Sequence, residues 1–569
     1  MKPIEMMTPT LPMGDAAHGI DAVTLEIWWS RIVSVVDEGA AALLRTAFST
    51  IVRESNDFAT VLMNVRGLSI AEGSGGIPAF AGIIPRTARA MLEKFPLETW
   101  RAGDCVLTNH PWMATGHLPD ITVVTPVFYQ GRIVGFAGCA AHSPDVGGNL
   151  SAMCRDLFEE GVCIPPMHLY RAGERNEAFL ELFLNNVRLP EQVLGDLEAQ
   201  CTANRVCCER AVDFLQDSGE PDFERLCTAV LEKADAGMRK AIAAIPDGRY
   251  VSAIEADGIP GHPTIIHCAI TVEGDQMTVD YEGTSAQVDK GTNCTINYTQ
   301  AYSVYPIKCA LDPLTRRNEG SYRAIEVRAP ERSIVNAQYP AAVAARHLTG
   351  HLLSCAIYQA LSKVVPEQVI ADSGGAPAFR VGFAGVTDTG ERFGQILFAS
   401  GGMGASARQD GLSTTAFPTN SGAGSIEALE AVAPLLLTRK EYRQDSGGAG
   451  RFRGGLGQEC VVQNLSLRPV MMGMLGDRES HPALGLYGGL PGALAGVVLP
   501  DGSPAGLKSQ TTLKSGDRVV IRFAGGGGFG DPRQRAAAAV AADVADGFVS
   551  REQVGSVYPQ ATELVKGSA

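Results

Sequence analysis

Apolar residues recur at helical spacing from Val23 to Thr50, where Ile27, Trp28, Ile32, Val35, Val36, Leu43 and Leu44 mark one face. The pattern predicts an amphipathic helix with Thr24 as a candidate cap. Two shorter apolar runs, Ala59–Asn64 and Leu68–Ala71, follow, with turn signals at Arg66-Gly67 and at residues 73–76. A second helix is expected over Ile84–Lys94. Strands are expected over Asp104–Leu107, Ile121–Phe128 and Arg132–Ala140. Tyr129-Gln130-Gly131 joins the last two as a hairpin turn. From Pro190 to Ile245 the period is helical, interrupted by turn residues at Asp217–Pro221.

Period-two patterns over Val251–Gly258, Thr264–Glu273 and Met277–Glu282 predict a second group of strands. Helix returns over His347–Val365. Beyond about residue 380, short strands and glycine turns dominate until a last helix at Arg535–Asp546. These elements predict a mixed α+β chain in three blocks. Residues 1–189 form an N-terminal α/β region, 190–380 a helical and mixed α/β middle, and 381–569 a glycine-rich, β-dominated C-terminal region.

Composition sharpens this picture at two points. The formal net charge is −14 and no dense run of Lys or Arg offsets it, which argues against a nucleic-acid partner. Between residues 401 and 530 lie 27 of the 64 glycines, so the surplus is local and asks for a local cause. Turns and tight backbone approaches are the expected cause, and phosphate-binding loops of backbone N–H groups are the alternative.

The first thirty residues show no basic segment followed by an apolar one, and Ile121 to His142 is broken at Gln130, Gly131 and Arg132. Neither a leader nor a membrane span is expected. The thirteen cysteines include no Cys-x-x-Cys, as suits reduced thiols in a cytoplasmic protein. Gly525, Gly527 and Gly530 after the apolar run at Arg518 spell a dinucleotide fingerprint, but too little chain follows to complete that fold. Neither a Gly-Lys dipeptide nor Gly-x-Ser-x-Gly occurs, so no standard P-loop or nucleophile elbow is present.

Polar residues able to do chemistry concentrate between 53 and 148. Arg53-Glu54-Ser55-Asn56-Asp57 follows the first helix. His117 and Asp120 precede one hairpin strand, and His142 ends its partner. An antiparallel hairpin brings those ends together. Two imidazoles with one or two carboxylates suit a divalent metal, Zn²⁺ first, with Mn²⁺ or Fe²⁺ as alternatives. The competing reading has the histidines bonding backbone and the aspartates capping turns. His110, before Pro111, fits a turn better than a ligand.

At these residues the sequence resembles the hydantoinase B/oxoprolinase family. The stretches that carry the resemblance include Arg-Glu-Ser-Asn-Asp-Phe (53–58), Gly-His-Leu-Pro-Asp-Ile (116–121) and Ala-His-Ser-Pro-Asp-Val-Gly-Gly (141–148). Pro340-Ala341-Ala342-Val343 with Arg346, residues 445–457 and residues 525–532 continue it. The resemblance implies one subunit of an ATP-dependent complex, whose partner is an actin-like ATPase subunit of hydantoinase A type that binds ATP and phosphorylates the substrate. It implies metal ligands at Asp57, His117, Asp120 and His142.

The expected reaction is hydrolysis of a small cyclic amide, a hydantoin or lactam. Asp145 and Glu54 are candidate acid–base or orienting residues. Arg451 and Arg453, in a glycine loop, are candidates for contacting a phosphorylated intermediate or the partner. ATP-dependent ketone carboxylation and a purely structural role beside the ATPase subunit are the alternatives. The chain departs from the family pattern at His110, where Asp is frequent, and at Phe80, where His is frequent.

Overall fold

The computed structural model describes residues 19–219 and 222–566. The first helix runs Ala22–Thr46 and buries Trp29, Ile32, Val36 and Leu43. Its cap is Asp21, whose carboxylate accepts the amides of Val23 and Thr24, so Thr24 lies inside the first turn. The helix stops four residues short of Thr50. The Asp196 carboxylate takes the amides of Phe48 and Ser49 at 2.7 and 3.0 Å, and Ser49 then caps a separate turn, Thr50–Arg53. The second helix starts at Pro78, six residues before the expected Ile84, and carries Pro85 in its interior.

The N-terminal block is built on seven antiparallel strands: β1 (Phe58–Asn64), β2 (Ser69–Glu72), β3 (Cys105–Thr108), β4 (Asp120–Tyr129), β5 (Arg132–His142), β6 (Met167–Arg171) and β7 (Glu174–Arg175). Their spatial order is β2-β1-β5-β4-β3-β6-β7. The β4–β5 hairpin turns where predicted, with Gln130 and Gly131 both at positive φ (50° and 77°). That conformation matches the strand twist and favours glycine. Helix Pro78–Lys94 packs on one face of this sheet, with Val61, Met63, Phe136 and Ala140. Helices Ala22–Thr46 and Pro190–Ser218 cover the other face, over Leu62, Val127, Ala137, Cys139 and Ala141. Being covered on both sides explains why β1 is buried at every position.

The middle strands β8 (Gly248–Ile259), β9 (His262–Glu273), β10 (Gln276–Asp280) and β11 (Ile325–Arg328) pair in the order β11-β10-β9-β8, with β10 and β11 parallel. Helices Ile296–Leu311 and Leu352–Leu361 pack beside them. One apolar cluster extends from Ala59 to Ala376 and so takes residues from both sides of position 189.

In the C-terminal part, β12 (Arg380–Val386), β13 (Arg392–Leu397), β16 (Val470–Leu475) and β19 (Gln510–Leu513) form one sheet. The strands β14 (Leu435–Tyr442), β15 (Gln458–Asn464), β17 (Gly496–Val498), β18 (Pro504–Ala505) and β20 (Arg518–Arg522) form another. An apolar cluster that includes Val381, Met472, Val462 and Ile521 joins the two. Since β20 is antiparallel to both neighbours, the glycines after it open no dinucleotide-binding βαβ unit. Among the described residues, no helix is long and apolar enough to cross a membrane.

Candidate metal centre

Asp120 opens β4 and His142 closes β5, and the two face each other in the hairpin register. His142 Nδ1 lies 2.8 Å from Asp120 Oδ1. His117 stands on the turn before β4, where Gly116 adopts φ +96° against the Arg346 side chain. His117 Nε2 lies 2.9 Å from the same Asp120 oxygen. The ligand atoms of the three residues fall within 4.8 Å of one another, and all three residues are buried.

The state of His117 makes this a fit for a cation. Its Nδ1 is 3.1 Å from the Ala344 carbonyl, which can only accept, so Nδ1 carries the proton. Nε2 then presents a lone pair to a carboxylate oxygen, and it has no hydrogen-bond partner among the described residues. Burial first, then the Arg346 charge, hold this imidazole down to about 4, so it is neutral at physiological pH. Two electron-rich atoms this close in a buried site repel unless a positive ion offsets them. A donor set of two imidazoles and a carboxylate suits Zn²⁺, Mn²⁺ or Fe²⁺.

The other Asp120 oxygen is fully used. It accepts from Thr115 Oγ1 at 2.7 Å and from Arg346 Nη2 at 2.5 Å. Arg346 also donates to the Thr115 carbonyl at 2.7 Å and lies 4.1 Å from the Tyr298 ring centroid. Burial works against the Asp120 charge, but His117 and Arg346 outweigh it and hold the carboxyl well below its usual range. Burial also opposes the His142 cation, and the Asp120 and Asp57 carboxylates prevail and push that imidazole up.

Asp57 precedes β1, and its carbonyl accepts the His142 amide at 3.0 Å. Its carboxyl lines the cavity that also holds His117 and His142, though it stands outside the group of three that closes to within 4.8 Å. Burial and then Asp120 push its pKa up, against the pull of His142 and Arg380. The cavity, with the open solvent at its mouth included, spans about 580 Å³ and takes residues from distant parts of the chain. Phe80, Tyr298, Tyr302, Arg346 and His347 line it together with Arg380, Phe398, Thr419 and Leu475.

The remaining expected site residues lie elsewhere. The Asp145 carboxylate is engaged by Arg188 through its amide and guanidinium and by the Gly147 amide at 3.0 Å, so it braces a loop and does not line the cavity. Glu54 lines a separate, smaller crevice with Gln395 and Lys440. Arg453 is buried between the Asp543 carboxylate at 3.4 Å and the Phe548 ring, which leaves its charge spent inside the fold. Arg451 is exposed, beside Phe452. His110 stacks on Tyr339, consistent with its turn role.

The motif reading missed Arg380, His347 and the function of Arg346. A lone arginine inside the apolar run 341–348 was the available signal, because a charge there requires a buried partner.

Against known proteins, the hydantoinase B/oxoprolinase family profile matches residues 21–532. The beta subunit of caprolactamase from Pseudomonas jessenii is 28% identical over 552 residues, covering 93% of this chain and 94% of that one. The crystal structure of the ATP-dependent caprolactamase from the same organism superposes with a TM-score of 0.86 at 27% identity, over 94% of this chain and 96% of its own. A nucleotide-free acetone carboxylase structure superposes with a TM-score of 0.85 at 21% identity, over 94% of this chain and 79% of its own, a likeness of fold.

Proposed function

This chain belongs to the hydantoinase B/oxoprolinase family, and we propose that it is the metal-bearing subunit of an ATP-dependent hydrolase that opens small cyclic amides. The observation that carries the reading is the unpartnered His117 lone pair, held 2.9 Å from Asp120 in a cavity that also presents two guanidinium groups. In this proposal His117, Asp120 and His142 hold a divalent metal and Asp57 is the fourth donor. A metal so held would supply Lewis acidity toward a carbonyl oxygen or a water molecule.

The chain's own residues do the rest. An amide resists hydrolysis because nitrogen donates electron density into the carbonyl. Phosphorylation of the oxygen by an actin-like ATPase partner removes that donation. Arg380, steadied by Ser421 at 3.1 Å and by the Phe398 ring at 4.9 Å, offers a fixed positive charge toward a phosphorylated oxygen. Arg346 adds a second positive charge while it orients Asp120. Tyr298, Tyr302 and Phe80 wall the cavity with aromatic surface and limit the entry of bulk water. Nothing in the chain supplies a P-loop, which supports placing ATP on the partner.

The test is turnover by the purified two-subunit complex on hydantoins and lactams with ATP and a divalent metal. ATP-dependent ring opening, abolished by chelator and restored by metal, is the expected result. Incorporation of labelled bicarbonate into an acid product, with no ring opening, would replace hydrolysis by ketone carboxylation. Turnover that survives complete metal removal would overturn the metal assignment.

A further inference from the structure

Two histidines one helical turn apart, His347 and His351, line the cavity, and their hydrogen bonds differ. His351 is spent: Nδ1 accepts the Ala378 amide at 3.2 Å, and Nε2 therefore carries its proton toward the Tyr298 hydroxyl at 3.1 Å. His347 is not. The Leu475 backbone beside its ring favours the protonated form, as a carbonyl acceptor does. Its Nε2 is buried and has no hydrogen-bond partner among the described residues, in a side chain that is 9% exposed. With Nδ1 donating, Nε2 is a lone-pair acceptor on the cavity wall.

Desolvation and the nearby Arg380 and Arg346 charges disfavour protonation, so the ring stays an acceptor at neutral pH. A buried acceptor without a partner is costly, and sites keep such groups where a ligand satisfies them. Asp57 and His117 also present acceptors in this cavity, but the reading above commits both to the metal. His347 Nε2 is an acceptor outside that donor set.

We propose that His347 Nε2 accepts a hydrogen bond from the N–H of the substrate amide, making this residue the determinant of selectivity for unsubstituted over N-alkylated cyclic amides. The inference rests on the cyclic-amide reading above. A cis-amide in a small ring presents its oxygen and its N–H on one edge. With the oxygen toward the arginines and the metal-ligand set, the N–H is available to an acceptor on the same wall. An N-methyl group at that position removes the donor and leaves Nε2 unpaired. Polar sites of this kind reject analogues lacking the matching group more strongly than apolar pockets do.

The experiment uses the two-subunit complex and the probe pair 2-pyrrolidinone and N-methyl-2-pyrrolidinone. It measures binding without ATP by calorimetry and kcat/KM with ATP. Wild type is expected to prefer the N–H lactam by about 10- to 100-fold. In His347→Leu that ratio should fall to within about threefold of unity, chiefly through loss on the N–H lactam, with metal content unchanged. His347→Gln, whose side-chain carbonyl can accept, should restore part of the ratio, and it covers the case in which the leucine variant fails to fold. An unchanged ratio in both variants, or equal loss on both probes, overturns the role of His347. Failure of the wild-type complex to open any cyclic amide overturns the parent reading instead.

Discussion

Replacing Arg346 by methionine tests the electrostatic logic of the site most directly. The guanidinium is 3% exposed and its partner Asp120 is fully buried. It makes a 2.5 Å ion pair to Asp120, a 2.7 Å hydrogen bond to the Thr115 carbonyl, and a 4.1 Å contact with the Tyr298 ring. Methionine fills most of the volume but leaves the Asp120 charge without its only guanidinium among the described contacts. Removing one member of a buried pair costs about 3–5 kcal/mol, because the other charge stays buried and uncompensated.

A metal bound as proposed would change that figure. A divalent cation on His117, Asp120 and His142 neutralises the carboxylate, so the penalty in the loaded protein should shrink to about 1–2 kcal/mol, the worth of the remaining hydrogen bond. Urea unfolding of wild type and Arg346→Met, each with chelator and with saturating Zn²⁺ or Mn²⁺, reads both quantities. Equal losses in the two conditions would refute the claim that metal and arginine share the Asp120 charge. A loss under about 1 kcal/mol in chelator would refute the buried-pair argument itself.

Three other outcomes follow from the same geometry. His117→Ala and His142→Ala should each reduce metal content from about one ion per chain to near zero by elemental analysis, whereas Asp145→Asn, which loosens only the Arg188 brace, should leave it intact. Glu160 accepts the amides of Val343 and Ala344 at 2.5 and 2.7 Å, and burial pushes its carboxyl up to about 8 from an ordinary 4.5. Between those values the folded chain holds a proton the unfolded chain has lost. Stability is thus greatest below pH 4.5 for this group and falls through pH 8, by on the order of 3–5 kcal/mol in all. Glu160→Gln should flatten that slope in thermal melts, and parallel slopes would contradict it. Gly454→Ala would place a Cβ 1.9 Å from the Gly526 carbonyl and should abolish soluble expression, while Gly506→Ala, with open space around it, should be neutral; a soluble, wild-type-like Gly454→Ala would refute the close-approach argument.

The half of the site that lies on one hairpin was legible because its geometry is local. Tyr129-Gln130-Gly131 places the turn, a one-residue irregularity between Val127 and Phe128 shifts the pairing, and the resulting register sets Asp120 opposite His142. The other half was hidden because packing, not spacing, delivers it. Arg346 reaches Asp120 across 226 positions, and Arg380 enters on a strand of a different sheet. The helix Ile296–Leu311, which supplies Tyr298 and Tyr302, escaped notice for a related reason. It is buried on nearly every face and has Pro306 in its interior, so it shows no amphipathic period to detect. His347 and His351 are four apart, a spacing visible in the sequence, but the helix after them is apolar all round and gives no face on which to place them.

The glycines between 401 and 530 show how the two halves are joined: some sit in turns at positive φ, and the densest of them answer to tight backbone approach. None of Gly525 to Gly528 has positive φ. These residues are glycine because other backbones lie where a side chain would be: a Cβ on Gly525 would fall 1.7 Å from the Ser446 carbonyl, and one on Gly402 1.8 Å from that of Gly455. Their amides are consumed by neighbouring carbonyls, Gly526 by Gly455, Gly527 by Asp372 and Gly528 by Leu490. A phosphate could be cradled there only if those bonds were broken, which removes the alternative of an N–H nest. The packed segments instead act as a rigid brace for the stretch 371–378, which bonds Gly402 through the Gly374 amide at 2.8 Å and meets His351 through the Ala378 amide. Two residues later that stretch delivers Arg380 to the cavity. The glycine surplus and the candidate metal ligands are therefore parts of one construction: the first positions Arg380, which lines the same cavity as the second.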